Sequence, residues 1–290
     1  MLVKFPAYNP DWGKKEDLNT PEQYHRYYST HPEYVLNMLA KGGANVQLVD
    51  ATQFECRSMT AFDCVVDGYT CRFDFSDHEF IDRNISQKYR AYFKFHFHES
   101  HLEGPNEKNL FPFSPVNFHD WDMFWRLAPQ ITYKAKGKVL NNQAPAGAAV
   151  DRRNLVHKML KEAYGDELDS GRYPKEVFYK LINDAGAIVC VPGARNNMLD
   201  RGQGQQMGFG ACTISPKLNT RLSYHGMLIP GVHYVECKPD YSDLVEKVNW
   251  VRANRSAAQK IGQAAKTLFL TTSTPDKQVM WIKKCVHRDE

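Results

Sequence analysis

The chain has 290 residues, enough for one large domain or two of ordinary size, and its 42% hydrophobic and 24% charged residues argue against a disordered chain. A formal charge of +4 without any long Lys/Arg block permits a phosphate-rich ligand but does not demand nucleic acid. Seven scattered cysteines without C-x-x-C spacing argue against a disulfide scaffold or a cysteine zinc site, and no apolar run reaches signal-peptide or membrane-spanning length, so the expectation is a cytoplasmic protein of a reducing compartment.

In chain order, residues 20–43 (TPEQYHRYYSTHPEYVLNMLAKGG) begin with a Thr cap before Pro, carry Leu36, Met38 and Leu39, and stop at Gly42 and Gly43. That pattern predicts a helix. The runs NVQLVD, DCVVDGY and AYFKFHFH predict strands. Residues 114–130 (SPVNFHDWDMFWRLAPQ) are aromatic and irregular and end at Pro129, which marks a passage between two domains. Trp121 and Trp125 within it suit either an interface core or stacking on a base or sugar.

The second half alternates more clearly. ITYKAKGKVL reads as a strand, and DRRNLVHKMLKEAYG as an amphipathic helix with Leu155, Met159 and Ala163 inward. PKEVFYKLINDAG reads as a helix stopped by Gly186, and AIVCVPG as a buried parallel strand. ACTISP and HYVECK add strands, followed by helices over 241–253 and 255–269, the latter with Ile261, Ala265 and Leu268 buried. Alternating strands and helices with short connections predict an α/β fold built on parallel sheet.

The stretch DRGQGQQMGFGACTISP (200–216) carries Gly202, Gly204 and Gly208 as G-x-G-x-x-x-G. This is one residue too long for the dinucleotide fingerprint, and no acid sits at the ribose distance. A strand ending near VPGARNN would lead into a helix opened by Arg201. Free N–H groups at such a start favour an anion, Arg201 can fork onto phosphate oxygens, and Gly202 lets a ligand approach the backbone. Alternatively, the glycines only shape a turn and admit tight helix packing.

A second cluster is FKFHFHESH (93–101), where His96, His98 and His101 with Glu99 form H-x-H-x-x-H. On a strand, His96 and His98 would share a face with Lys94. They would serve as metal ligands, as catalytic or acceptor-binding groups, or as structural residues.

The tail GMLIPGVHYVECKPDYSDLVEKVNWVRANRSAAQKIGQAAKTLF (226–269) resembles the C-terminal segment of two-domain, GT-B-fold glycosyltransferases related to protein O-glucosyltransferases and capsule xylosyltransferases. The matching residues are Leu228, Pro230, His233, Tyr234, Val235, Lys238, Asp240, Ser242, Asp243, Leu244, Trp250, Asn254 and Ile261. Upstream, GKVLNNQAPAGAAVDRRNLVHKML is similar to that family's strand, loop and R-x-x-L helix, with Arg153 at the arginine and NNQ where the family has RG. MGFGACTISP is similar to a turn of spore-maturation-type glycosyltransferases, and the likeness spans about 131–270.

The resemblance implies two Rossmann-like domains facing across a cleft. Residues 1–128 would form the acceptor domain and 129–272 the nucleotide-sugar domain, with a C-terminal helix over 273–290 packing back on the first. It implies a metal-independent glycosyltransferase with a nucleotide-diphospho-sugar as co-substrate and no resident cofactor. Arg201 and Arg153 would meet the diphosphate, with Arg152 or Arg195 in reserve. Gln205 and Gln206 would bond sugar hydroxyls or phosphate, and His233 and Tyr234 would face the pocket. The base that deprotonates the acceptor would come from the first domain, Asp77 before Asp74, with Asp67 also near a strand end. The acceptor is a glycan or a hydroxylated base in viral DNA, and a cytosolic or virus-encoded enzyme fits a start without a signal. Two other classes stay open: a metal-dependent hydrolase on H-x-H-x-x-H, and a non-catalytic nucleotide-sugar binding protein.

Overall fold

A computed structural model describes residues 1–7, 30–55, 60–76, 81, 86–98, 107–114, 121–193 and 195–289. The chain divides into two compact units: Met1–Pro115 with Arg221–Gly226 and Thr272–Glu290, and Val116–Thr220 with Met227–Thr271. Neither unit is one continuous stretch of sequence.

The first unit contains β1 (Leu2–Pro6), α1 (Thr30–Lys41), β2 (Asn45–Val49), β3 (Ala61–Val66), β4 (Tyr69–Asp74), β5 (Ala91–Lys94) and β6 (Leu110–Pro112). Its sheet has the order β2-β1-β3-β4-β5-β6. β1 and β2 are parallel, joined through α1, as are β4 with β5 and β5 with β6. β3 runs antiparallel to both β1 and β4. The sheet is therefore mixed, unlike the all-parallel layer that helix and strand alternation predicts. The reason is local: DCVVDGY is not one strand but a hairpin, folding at Asp67 (φ 47°) and Gly68 (φ 90°). Two positive φ angles at Asp-Gly make the primed turn that matches strand twist.

Register aligns Phe62, Phe73, Phe93 and Phe111 in one row across four strands. Neighbouring rings lie 5.7, 5.0 and 6.0 Å apart. Such pairs contribute about 0.5–1.5 kcal/mol each beyond burial. Val35, Met38 and Leu39 of α1 share this core with Trp281, Ile282 and Cys285 of the C-terminal helix Pro275–Val286. Gly42, ending α1, lies against the Pro275 carbonyl and Val279, where a Cβ would collide. Alternation sends Asp63, Arg72, Asp74, Tyr92 and Lys94 to the other face of the sheet. There Arg72 Nε and Nη2 meet the Asp63 carboxylate at 2.7 and 3.1 Å, both residues buried. Strand β5 stops at Lys94, so His96 and His98 lie beyond it and do not share a strand face.

The second unit begins with α2 (Trp121–Leu127), an ordered helix inside the passage that reads as irregular in sequence. Trp121 is buried against Phe124 while Trp125 is 55% exposed. Then come β7 (Lys138–Leu140), α3 (Val150–Tyr164), β8 (Leu168–Asp169), α4 (Lys175–Lys180), β9 (Ala185–Val189), α5 (Arg201–Gly208), β10 (Thr213–Pro216) and β11 (Val235–Cys237). The unit ends with α6 (Leu244–Ala253) and α7 (Arg255–Thr272), and α8 (Pro275–Val286) returns the chain to the first unit.

All pairings in this second sheet are parallel, in the order β11-β10-β9-β7-β8. α3 turns Val156 and Leu160 inward and leaves Leu155 47% exposed, one residue off the stripe read from sequence. Gly186 does not stop a helix. It lies inside β9, where the Gly137 backbone approaches so closely that a Cβ would collide.

Candidate functional site

Counted within the second unit, the strand order is 2-1-3-4-5, and the order reverses between β7 and β9. Open α/β sheets bind ligands at the carboxyl ends of strands at such a switch point. Here β7 leads into Asn141, Asn142 and Gln143, and β9 into Cys190 and Val191. Asn141 Nδ2 donates to the Val189 carbonyl at 3.1 Å, and Gln143 Nε2 to the Val191 carbonyl at 3.1 Å, clamping the two strand exits together. A cavity of about 280 Å³ opens there.

The cavity's far wall is the start of α5. Asp200 caps it, with Oδ1 accepting from Gly202 N at 2.9 Å. A Cβ on Gly202 would sit 3.1 Å from that oxygen, so this glycine admits the chain's own carboxylate. Asp200 Oδ2 also pairs with Arg153 Nη2 at 3.0 Å. The anion expected at this helix start is thus supplied by the protein itself.

Of the residues that sequence singles out, Arg153, Arg201, Gly202, Gln205 and Gln206 line this one cavity. Arg153 is held inward: Nη1 donates to the Ala144 carbonyl at 2.7 Å and Nη2 to the Val191 carbonyl at 3.3 Å. Gln206 Oε1 accepts from the buried Cys190 thiol at 3.1 Å. Burial first, and then the Asp200 charge, push that thiol's pKa well up, so it stays protonated. Arg201 is exposed, and among the described residues it has no hydrogen-bond or ion-pair partner. It stands near Lys175 of α4. Partial burial and then the Arg201 charge lower the Lys175 ammonium from its ordinary range.

The other candidates lie elsewhere. Arg152 turns away to the Gly193 and Pro192 carbonyls. Arg195 is in the turn before Met198 and is not among the cavity-lining residues. His233 Nδ1 accepts from Ile229 N at 3.0 Å, and the buried Tyr234 hydroxyl accepts from Leu218 N at 3.0 Å. Both brace the loop before β11 and do not line the cavity. In the first unit, Asp74 is buried and engaged by Tyr92, Ser76 and Lys94. Asp67 braces the hairpin, accepting from Leu2 N at 2.6 Å and facing His287 Nε2 at 3.1 Å. Asp77, Glu99 and His101 lie outside the described residues. His96 packs its ring edge-on to Phe95. Among the described residues no group of three His, Cys, Asp or Glu side chains is placed to hold a metal.

Sequence reading missed Asp200, Asn142, Gln143, Gln203 and Phe178, all of which line the cavity. The signal for Asp200 was present, since an Asp directly before a helix start is a capping position. Asn142 and Gln143 occupy the NNQ that departs from the family's RG. Among the described residues, no helix is long and apolar enough to cross a membrane.

No protein-family model matches the chain. Over 73 residues the chain is 32% identical to a protein of Invertebrate iridescent virus 6 named Uncharacterized protein 179R. The matched stretch is 23% of this chain and 6% of the viral protein, so the similarity concerns a segment of each.

Proposed function

We propose that this chain is a GT-B-type glycosyltransferase that moves a sugar from a nucleotide-diphospho-sugar to an acceptor hydroxyl. The observation that carries the reading is the convergence of Arg153, Arg201, Gly202, Gln205 and Gln206 on one cavity at the switch point of a parallel sheet. Arg201 and Lys175 would neutralise the charge that develops on the departing diphosphate. Phe178 offers an aromatic wall for a base or sugar. In this arrangement the acceptor belongs to the first unit, with Asp77 or Asp74 as base and His96 or His98 as the imidazole choices. The segment of similarity to a viral protein supports a virus-encoded chain; the proposed acceptor is a glycan or a hydroxylated base in viral DNA, and the proposed place of action a host cytoplasm.

A thermal-shift panel of uridine, guanosine and other nucleotide-sugars tests the reading. At one hundred times its Kd, a ligand that binds only the folded state adds about 2.7 kcal/mol of stability. One member should therefore raise the Tm by several degrees, and transfer to a glycan or hydroxymethylated oligonucleotide should follow with that donor. A chain stabilised by none of them is not a nucleotide-sugar enzyme.

A further inference from the structure

Strand β2 closes one side of the first unit's sheet, with β1 as its one neighbour among the described residues. Asn45 N donates to the Met1 carbonyl at 3.0 Å, and the Val49 carbonyl accepts from Ala7 N at 2.8 Å. The backbone of Asn45, Gln47 and Val49 therefore faces β1. Alternate residues of a strand turn their amides and carbonyls to opposite edges, so those of Val46 and Leu48 point outward. Neither residue has a partner there among the described residues. On either side the outward groups are partly spent. Ala44 N donates to the Leu39 carbonyl at 3.0 Å, and the Asp50 carbonyl accepts from Gln53 N at 3.2 Å.

Register with Val3 and Phe5 puts the side chains of Val46 and Leu48 on the core face. Val46 packs against that core, but Leu48 is 59% exposed. Gln47 is exposed on the other face. The strand, NVQLV, holds no charge and no proline, and its register runs without a shift. Charges, prolines and bulges are the devices that keep a sheet edge from pairing.

This edge complements itself. Laid antiparallel on a second copy about a two-fold axis through Gln47, Val46 stands opposite the partner's Leu48 and Leu48 opposite the partner's Val46. Each such pair exchanges two N–H···O bonds, so every outward group of both residues is met. On the core face Val46 of one copy covers Leu48 of the other. On the opposite face the two Gln47 amides meet, each offering a donor and an acceptor. No like charges come together. Moving the axis to Val46 or Leu48 would bring Ala44 or Asp50 into the ladder with one group already used.

Independently of the donor-site reading, we propose that two copies of this chain pair through β2, antiparallel and centred on Gln47, so that their six-stranded sheets run on as one. Pairing a strand of five residues buries less surface than a permanent dimer needs, so this dimer forms and parts with concentration.

The test is sedimentation velocity of the full chain over a dilution series, alone and with charge variants at the axis. The wild-type chain should shift from monomer to dimer as concentration rises. Gln47→Lys and Gln47→Glu each set like charges face to face and should raise the dissociation constant about tenfold or more. An equimolar mixture of the two variants sets lysine against glutamate and should recover the dimer. Because Gln47 is exposed, both variants should keep the wild-type Tm. Amide hydrogen exchange reads the same edge without any substitution: the N–H groups of Val46 and Leu48 should slow as concentration rises, while that of Gln47, turned toward β1, should not change. A chain that stays monomeric at every concentration overturns the proposal. So does a dimer that neither variant weakens, or a mixture that stays monomeric after each variant alone has lost the dimer.

Discussion

Lys94 Nζ lies 3.3 Å from Asp74 Oδ1, with the lysine wholly buried beneath the first unit's sheet. Tyr92 donates to Asp74 Oδ2 at 2.7 Å, and Ser76 N to Oδ1 at 2.7 Å. Removing one partner of a buried pair leaves an uncompensated charge and costs about 3–5 kcal/mol. Asp74→Ala should therefore lower the denaturant midpoint sharply, whereas Lys94→Met with Asp74→Asn together should cost much less. A loss of turnover in Asp74→Ala counts as chemistry only if urea titration shows a stable fold.

Arg201 and Arg153 should separate cleanly. Arg201 is exposed and unpartnered among the described residues, so Arg201→Ala should leave the Tm within a degree or two while weakening donor binding tenfold or more, the effect of one charge-assisted hydrogen bond. Arg153→Ala leaves the Ala144 carbonyl and Asp200 Oδ2 without their guanidinium partner, while the Val191 carbonyl keeps Gln143 Nε2, and should destabilise by about 1–3 kcal/mol. Undiminished donor affinity in Arg201→Ala would remove the central assignment.

Stability should fall below neutral pH. Burial lowers the pKa of His233; for His225 burial is followed by the charges of Arg221 and Lys284. Each imidazole stays neutral in the folded chain below its ordinary value of about 6.5, where the unfolded chain takes up the proton. The unfolded state then binds more protons, and stability declines as pH drops through that range. His233 has a specific reason to resist: Nδ1 accepts from Ile229 N, which an imidazolium cannot do. Urea midpoints at pH 7.5 and 5.5 should differ, and by less in His233→Asn.

Asp67 acts at lower pH. Burial opposes its ionisation, but the Leu2 N–H, the His287 side chain and the N-terminal ammonium outweigh that and hold its carboxyl below the usual value. Its contribution is present above the unfolded value near 4 and lost as pH falls through the lower folded one. Asp67→Asn should flatten the acid limb below pH 4 in a denaturation series.

Gly210, at φ 92°, turns the chain from α5 into β10, and its carbonyl lies against Gly262 of α7. Gly262→Ala has no room, and Gly210→Ala takes a left-handed penalty of about 1–2 kcal/mol. Both should lower Tm by several degrees, with Gly262→Ala the worse because its neighbour is backbone.

Much of the second unit was legible because its strands are buried on both faces and its helices carry clear stops. The misreadings have local causes. In α3 the apolar residues Leu155, Val156, Met159 and Leu160 trace two adjacent stripes, and only the packing against β8 and α6 selects Val156 and Leu160. Gly186 looks like a terminator, yet it answers a close approach by Gly137, 49 positions earlier, that no local pattern announces. Asp67 and Gly68 carry a hairpin signal inside a run whose apolar residues predict one strand. At the cavity, arginine, glycine and glutamine were visible as chemistry-bearing types. Asp200 carries no such mark in the sequence beyond its capping position, although its carboxylate decides what α5 and Arg153 have left to offer a ligand.

The division of the chain also sets an order of events during synthesis. The sheet of the first unit begins at Leu2, but part of its core is α8, which emerges from the ribosome after every strand and helix of the second unit. The second unit is complete once Thr271 is out, while the phenylalanine row across β3 to β6 still lacks Trp281 and Ile282. The half of the protein that starts first therefore finishes last, and until then part of its apolar core stays uncovered.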